Sequence, residues 1–142
     1  RAAAESGLNV PTTAITCYPT QRDFITAHVQ LVQTYVSEAE RFGTPRVLFS
    51  AHGLPEKVIK RGDPYQKQVE ATTRAIVQAL GLKDAVNCYQ SRVGPMKWLG
   101  PATPEAVEQA GVDGKGVVVK QHVGDIRDDD VAALAEAWRN AR

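Results

Sequence analysis

The segment RVLFSAHGLP, residues 46–55, joins a short apolar run to a loop that contains glycine and proline. The run, residues 46–51, lacks the alternation of polar and apolar residues that a half-exposed strand shows. It therefore predicts a strand covered on both faces, and such strands belong to parallel sheets between layers of helices. The loop that follows would lie at the carboxyl end of this strand, where proteins of this kind bind their ligands.

Strand and helix signals alternate along the rest of the chain. We predict strands at residues 12–18, 46–51, 86–91 and 115–120. We predict helices at residues 21–41, 64–80, 104–111 and 131–141. Capping side chains mark three helix starts, at Asp63-Pro64, at Thr103-Pro104 and at Asp128 to Asp130. This order predicts one doubly wound α/β domain over residues 1–142, Rossmann- or flavodoxin-like, with a four-stranded, mainly parallel sheet flanked by helices.

The composition argues against several classes of protein. The chain of 142 residues has 17 Lys and Arg against 16 Asp and Glu, a formal net charge of +1. This balance gives no bulk electrostatic case for binding nucleic acid or an acidic membrane surface. The two cysteines lack zinc-site spacing and cannot supply the four ligands of an iron–sulfur cluster. We therefore expect no tightly bound cofactor and no nucleic-acid partner.

The sequence also bears on where the protein acts. No apolar run approaches the roughly 20 residues that a membrane span needs, and no signal peptide opens the chain. We therefore expect a cytoplasmic protein. Because the first residue is Arg1 and not Met, we also expect a processed, trimmed or partly recorded chain.

Three loops follow predicted strands and are unusual in composition, at residues 50–55, 90–101 and 121–125. In the first loop, His52 would project into the crevice at the strand's carboxyl end. Its imidazole titrates near neutral pH, so it can accept a proton or ligate a metal ion. The alternative is a histidine at a strand end with no chemical role, and the residues alone weigh the two equally.

The second loop, residues 90–101, holds two Gly-Pro pairs together with Met96, Trp98 and Leu99. A stiff loop that presents a large aromatic and a methionine suits a flat aromatic ligand. The alternative is that Trp98 folds back onto its own domain, and the spacing alone slightly favours this alternative.

Other residues carry weaker signals. His28 lies on a predicted helix, where a structural role is the commoner one. Cys17 and Cys88 lie in predicted strands and would act as small hydrophobes. The acidic residues near Asp125 and Asp128 are better explained by helix capping than by a metal site. His122 is a weak second candidate.

Three motifs together resemble the ferrochelatase family, the terminal enzymes of haem synthesis. They are VLFSAHGLP at residues 47–55, GDPYQ at residues 62–66 and CYQSRVGPMKWLGP at residues 88–101, and CYPT at residues 17–20 also fits. The resemblance covers about residues 1–119 and part of the family's C-terminal domain. It implies a chelatase-type fold and a lyase that inserts Fe²⁺ into protoporphyrin in haem biosynthesis.

The resemblance also implies roles for individual residues. His52 matches the active-site histidine, which abstracts pyrrole protons, binds the incoming metal ion, or does both. The residues matching the porphyrin-binding motifs are Ser50, Arg92, Pro95, Met96 and Trp98. The implied partners are the porphyrin, ferrous iron and an N-terminal domain of the same protein. The family includes membrane-associated members, which implies possible peripheral contact with the inner membrane.

The chain departs from the family after its fourth predicted strand. The family's Ser-x-His-x-Glu-Thr motif does not appear, and we predict that residues 120–142 are a divergent tail with a capped C-terminal helix. We therefore expect little or no chelatase activity from this chain alone. Two alternatives stay open: a non-catalytic porphyrin- or metal-binding module, and a small chelatase of another tetrapyrrole. A phosphohistidine enzyme is disfavoured because no basic residue adjoins His52 in its loop.

Overall fold

A computed structural model of the chain describes residues 17–121 together with positions 5, 7, 10, 11, 13 and 15. The predicted helix at residues 131–141, its acidic cap and His122 lie outside the described residues. Within them, no helix is long and apolar enough to cross a membrane.

The described elements alternate between helices and strands. In chain order they are α1 (Arg22–Ala39) with a 3-10 turn (Glu40–Phe42), β1 (Pro45–His52), α2 (Glu56–Lys60), α3 (Tyr65–Leu80), β2 (Ala85–Gln90), α4 (Thr103–Val112) and β3 (Gly116–Gln121). Across residues 17–121 the sheet has three parallel strands in the order β2-β1-β3. The predicted α/β class and parallel sheet are confirmed, with three strands where four were predicted.

The strand predicted at residues 12–18 is wrong at the positions that the structure describes. Positions 13, 15, 17 and 18 lie outside any strand. Ile15 is 80% exposed, so its β-branched side chain has no sheet face to cover. Instead, the Thr72 hydroxyl of α3 donates to the Pro19 carbonyl at 2.7 Å, which ties this part of the chain to a helix. A β-branched composition favours a strand only where a neighbouring strand is available for pairing.

Strand β1 lies at the centre of the sheet and is buried on both faces, as its continuous apolar run predicts. Val47 and Phe49 face α1 and α3, where they pack with Ile76. Leu48, one residue along, faces α4 and packs with Ala106. Leu48 and Phe49 are completely or almost completely buried, and each contributes about 2–3 kcal/mol through burial. Helices therefore cover both faces of the sheet.

The predicted helix starts fare differently. The Asp63 carboxylate accepts a hydrogen bond from the Tyr65 N–H at 2.9 Å, and α3 ends at Gly81 with a left-handed φ of 63°. The predicted end is confirmed, whereas the helix begins at Tyr65, with Pro64 at the cap position and not as the first helical residue. At α4, the predicted cap Thr103 is instead the first helical residue. Glu105 accepts the Ala102 N–H at 2.9 Å, which leaves the Thr103 hydroxyl free for a contact with β1.

The amino edge of the sheet is held by ion pairs and by close backbone contact. Arg46 lies 2.9 Å from Asp84 and 2.6 Å from Asp113, and Lys115 lies 3.1 Å from Asp84. A Cβ atom at Gly116 would collide with the Ala39 carbonyl, so the end of α1 rests directly on β3. The Arg46 guanidinium holds the pKa values of both aspartates below their usual range.

Candidate active site

The carboxyl edge of the sheet carries His52 at its centre. His52 is the last residue of β1 and pairs with Gln90, the last residue of β2. Its side chain is exposed, and no hydrogen bond or ion pair joins it to the part of the chain that is described. An exposed imidazole at the middle of this edge can reach a ligand in the crevice and exchange protons with solvent.

Gly53 turns the chain immediately after His52. Its N–H donates to the Gln90 carbonyl at 2.8 Å. A Cβ atom here would lie 2.8 Å from the same carbonyl oxygen and 3.1 Å from Cγ of Arg92. Only glycine permits this approach, so the backbone that carries His52 is pinned against the end of β2.

The two loops that the sequence singled out separately form one structure. The Leu99 N–H donates to the Leu54 carbonyl at 3.0 Å, and the Glu56 N–H donates to the Lys97 carbonyl at 2.9 Å. Pro55 and Trp98 form an antiparallel bridge between these bonds. We call residues 54–56 and 97–99 the loop ladder. It holds the loop that follows β2 against the chain that leaves His52.

Leu99 anchors the loop ladder from below. Its side chain is buried and packs with Ala51 and Tyr89. Tyr89 in turn donates its N–H to the Pro101 carbonyl at 2.9 Å. Burial raises the pKa of Tyr89 to about 12, so its phenol stays protonated and serves packing. The loop is therefore attached at its base and returns to the sheet along a fixed path.

Trp98 lies half-buried over the turn after β1. Its Cε3 lies 3.6 Å from the position that a Cβ of Gly53 would take. Its indole Nε1 is buried and has no hydrogen-bond partner among the described residues. One part of the indole thus packs on its own domain, as the alternative interpretation expected, while the rest stays accessible.

The tip of the same loop is exposed. Val93 is 75% and Met96 is 54% exposed, and Arg92 and Pro95 are also exposed. Ser91 has a φ of 59°, a conformation that residues other than glycine rarely adopt. No sequence signal marked Ser91. Apolar side chains displayed on such a tip are typical of a binding surface.

Ser50 lies inside the protein, not on the surface of the edge. Its side chain has no solvent exposure, and its hydroxyl shares a hydrogen bond of 2.8 Å with the Thr103 hydroxyl. Cys88 is buried beside them, and burial raises the pKa of its thiol. Sequence reasoning missed Thr103 because its capping pattern explained the residue without any contact to β1.

Charged residues flank the edge without forming a metal-binding cluster. Glu56 accepts from Lys60 at 3.0 Å and lies 3.2 Å from Lys97, and these contacts lower the pKa of its carboxyl. Arg92 lies 3.8 Å from Glu105. Within residues 17–121 and the few described positions before them, no group of three or more His, Cys, Asp or Glu could hold a metal ion.

The weaker candidates take structural places. His28 is 6% exposed and packs edge-on against Phe24, with ring centres 4.5 Å apart. Burial, reinforced by the nearby charge of Lys120, lowers its pKa to about 4. His28 is therefore neutral at pH 7 and belongs to the packing of α1 on the sheet. Cys17 is exposed, and Gln68 donates to its sulfur at 3.3 Å.

A parallel sheet covered on both faces, with an exposed histidine and a ladder of two loops at its carboxyl edge, defines an α/β domain of the type that binds ligands at that edge. Comparison with known proteins gives the family. The ferrochelatase family model matches residues 1–124. The chain therefore belongs to the ferrochelatase family.

Curated relatives agree and show how much of such a protein the chain spans. The ferrochelatase of Caulobacter vibrioides (strain NA1000 / CB15N) is 46% identical over 136 residues, covering 87% of this chain and 38% of the relative. That of Rickettsia bellii (strain OSU 85-389) is 44% identical over 114 residues, covering 79% and 31%. That of Wolbachia pipientis wMel is 45% identical over 119 residues, covering 82% and 38%. The chain thus spans less than two fifths of each relative.

Proposed function

We propose that this chain forms one wall of a ferrochelatase active site, at which Fe²⁺ is inserted into protoporphyrin. The observation that carries the proposal is His52 at the centre of the carboxyl edge, bordered by the loop ladder. Membership of the ferrochelatase family supports the reaction class. Metal insertion removes two N–H protons from the porphyrin and replaces them with metal–nitrogen bonds, so a proton acceptor must face the ring.

His52 serves as that acceptor in this proposal. A neutral imidazole takes one pyrrole proton at a time, and its exposure lets it release each proton to water before the next transfer. A direct contact between the imidazole and the incoming Fe²⁺ is compatible with the same position. General-base assistance of this kind typically accelerates a reaction by about 10²–10⁴-fold.

The loop tip would hold the macrocycle. Met96 and Trp98 offer adaptable and flat apolar contact, and Pro95 stiffens the loop between them. Arg92 would pair with a carboxylate of protoporphyrin, and its distance of 3.8 Å from Glu105, which leaves it only loosely engaged, supports this role. Ser50 has no exposure and would act from beneath the edge, without touching the substrate.

The second wall of the cleft would come from further polypeptide, such as the N-terminal domain that the family resemblance implies. The span of less than two fifths of each relative supports this. It also supports the expectation that the 142-residue chain alone inserts little or no metal. A metal ion held at His52 would need ligands beyond the described residues, which offer no cluster of three.

A chimera tests the proposal. Residues 1–124 replace the matching segment of the Caulobacter vibrioides ferrochelatase, and insertion of Fe²⁺ and of Zn²⁺ into protoporphyrin is followed by absorbance. We expect turnover, and we expect His52→Ala to lower the rate by about 100-fold or more. Lys57→Ala, an exposed change five residues further on, is the matched control and should leave the rate unchanged. An unchanged rate in His52→Ala would end the assignment of His52.

A non-catalytic porphyrin-binding module is the second candidate, and the exposed Val93 and Met96 favour it. An absorbance titration of the 142-residue chain with protoporphyrin distinguishes the two. The module is the better description if the chain binds protoporphyrin tightly and the chimera binds it without inserting metal. Turnover by the chimera would exclude the module.

The proposal extends to the topology of the sheet and to the location of the protein. Helices on both faces of the sheet support a doubly wound arrangement, in which a fourth strand would extend the sheet.

The exposed apolar tip supports a cytoplasmic protein in peripheral contact with the inner membrane. Sedimentation of the chimera with lipid vesicles tests that contact, and a double change of Val93 and Met96 to Ser should abolish it. Equal sedimentation of the chimera and of its double variant would contradict the membrane contact.

A further inference from the structure

A pair of hydroxyl groups, one buried and one partly buried, lies next to His52 along β1. Ser50 and His52 are two residues apart on β1, so both side chains lie on the face of the sheet that α4 covers. The Ser50 hydroxyl has no solvent exposure and lies 2.8 Å from the Thr103 hydroxyl. Because the Ser50 hydroxyl has no access to water, it cannot exchange this hydrogen bond for one to solvent without a penalty.

Thr103 is the first residue of α4, and the same turn holds both ends of the loop that follows β2. Glu105 accepts the N–H of Ala102 at 2.9 Å, at the end of the loop. It also lies 3.8 Å from Arg92, near the start of the loop. The first turn of α4 therefore contacts the central strand through Thr103 and the substrate loop through Glu105.

Other contacts hold His52 from both sides along the chain, and Ala51 packs with Tyr89 and Leu99 on the amino side. Gly53 donates to the Gln90 carbonyl, and Leu54 accepts from Leu99. On the amino side of His52, the hydroxyl pair is a side-chain hydrogen bond that connects β1 to α4, on the sheet face opposite to the packing of Ala51 with Val69 of α3. Without it, the α4 face of the end of β1 would lose this directional contact.

We propose that Thr103 is a positioning residue for metal insertion, which acts through Ser50 to fix the end of β1 and with it the imidazole of His52. This inference rests on the proposed function of His52. Thr103 touches neither substrate nor metal ion in this scheme. Its hydroxyl determines where His52 stands relative to the loop that would hold the porphyrin.

The first test does not need catalysis. Amide hydrogen exchange of Gly53 is measured by NMR in the 142-residue chain and in Thr103→Val, which keeps the shape of the side chain but removes the hydroxyl. We expect exchange at Gly53 to accelerate by about tenfold or more, because the end of β1 opens locally. Thr103→Ser, which keeps the hydroxyl, should restore the original rate.

The matched control is Thr72→Val. Thr72 is a buried threonine whose hydroxyl donates to the Pro19 carbonyl at 2.7 Å, but it lies on α3. Thr72→Val should lower the free energy of unfolding without a selective effect on amide exchange at Gly53. If Thr103→Val and Thr72→Val change Gly53 exchange equally, or if Thr103→Ser fails to restore it, the inference is overturned.

The second test uses the chimera with the Caulobacter vibrioides ferrochelatase. Thr103→Val should lower kcat by about tenfold, because misplaced reacting groups slow chemistry, while KM for Zn²⁺ and for protoporphyrin stays within about twofold. Thr103→Ser should recover the rate. A change in KM with unchanged kcat would contradict a positioning role. An unchanged rate in His52→Ala would refute the proposed function separately, while the exchange measurement would still decide the role of Thr103.

Discussion

At the amino edge of the sheet, charged side chains and backbone contact hold the elements together. Arg46 joins two aspartates from different turns, and the Ala39 carbonyl rests on Gly116. At the carboxyl edge, the elements are held together by the backbone hydrogen bonds of the loop ladder and by the Ser50–Thr103 hydroxyl pair. The side chains of His52 and Met96 stay exposed there. The same sheet is thus locked at one edge and presents unengaged side chains at the other, which suits a domain that binds its ligand at one edge.

The largest expected effect lies at the amino edge. Gly116→Ala should lower the free energy of unfolding by about 3 kcal/mol, because the added methyl meets backbone atoms that cannot move aside. Urea denaturation of the 142-residue chain measures it. Gly111→Ala in α4, where the new methyl has open space, is the control and should raise stability by about 0.5 kcal/mol. If Gly116→Ala lowers the free energy of unfolding by less than Gly53→Ala does, the amino edge is not the more rigid of the two.

His28 and the amino edge should also respond to acid in different pH ranges. The folded-state pKa of His28 is lowered to about 4, so the stability that neutral His28 provides is complete above pH 6.5 and falls between pH 6.5 and 4. The expected loss over this range is about 2–3 kcal/mol, measured by urea denaturation at each pH. His28→Gln should flatten this range. An unchanged pH profile in His28→Gln would contradict the assignment.

The aspartates of the amino edge act at lower pH. Their pKa values are lowered by Arg46, so their contribution is present above the unfolded pKa values and is lost as the pH falls through the lower, folded values. We therefore expect a second fall in stability, below about pH 4. Arg46→Met should reduce that second fall, since Lys115 still lowers the pKa of Asp84, and should leave the effect of His28 in place. A second fall of the same size in Arg46→Met would show that the ion pairs are not its cause.

A smaller effect is expected at the turn after β1. Gly53→Ala should cost about 1–2 kcal/mol, because one of its close neighbours is the movable side chain of Arg92. The rate of metal insertion by the chimera should fall by about tenfold, since the turn positions His52. Denaturation and turnover of the same variant are compared. A loss of stability with an unchanged rate would separate the turn from the chemistry.

The smallest expected effect concerns ligand contact. Trp98→Ala should weaken protoporphyrin binding by about fivefold, because an aromatic contact of this kind is worth about 1 kcal/mol. Trp98→Phe is the matched control and should retain most of the affinity, since it keeps a flat ring. An absorbance titration of the chimera measures both. Equal affinity in all three proteins would remove Trp98 from the binding surface.

The sequence predicted those parts of the fold that rest on local signals. The run at residues 46–51 became β1, and Asp63 and Gly81 mark the two ends of α3, because burial on both faces and end capping are visible in neighbouring residues. The strand at residues 12–18 was predicted from β-branched residues alone, and composition does not show whether a neighbouring strand exists.

The candidate site likewise has parts that the sequence predicted and parts that it did not. The place of His52 at a strand end follows from its position in the chain, and its proposed role came from the resemblance to a family. The loop ladder joins Leu54 to Leu99, and the hydroxyl pair joins Ser50 to Thr103 across 53 positions. Such contacts depend on how the strands are arranged in space, and a single sequence holds no record of that arrangement.

The loop ladder also determines where the protein tolerates modification. Insertions or bulky labels at residues 97–99 would break its pairing and shift the end of β1. The tip at residues 92–96 lies beyond the ladder, and Val93 is widely exposed there. A cysteine placed at position 93, with Cys17 removed, would carry a fluorescent dye beside the cleft without altering the backbone that supports it. Quenching of that dye would report in real time the arrival of the tetrapyrrole that the proposed function assigns to this loop.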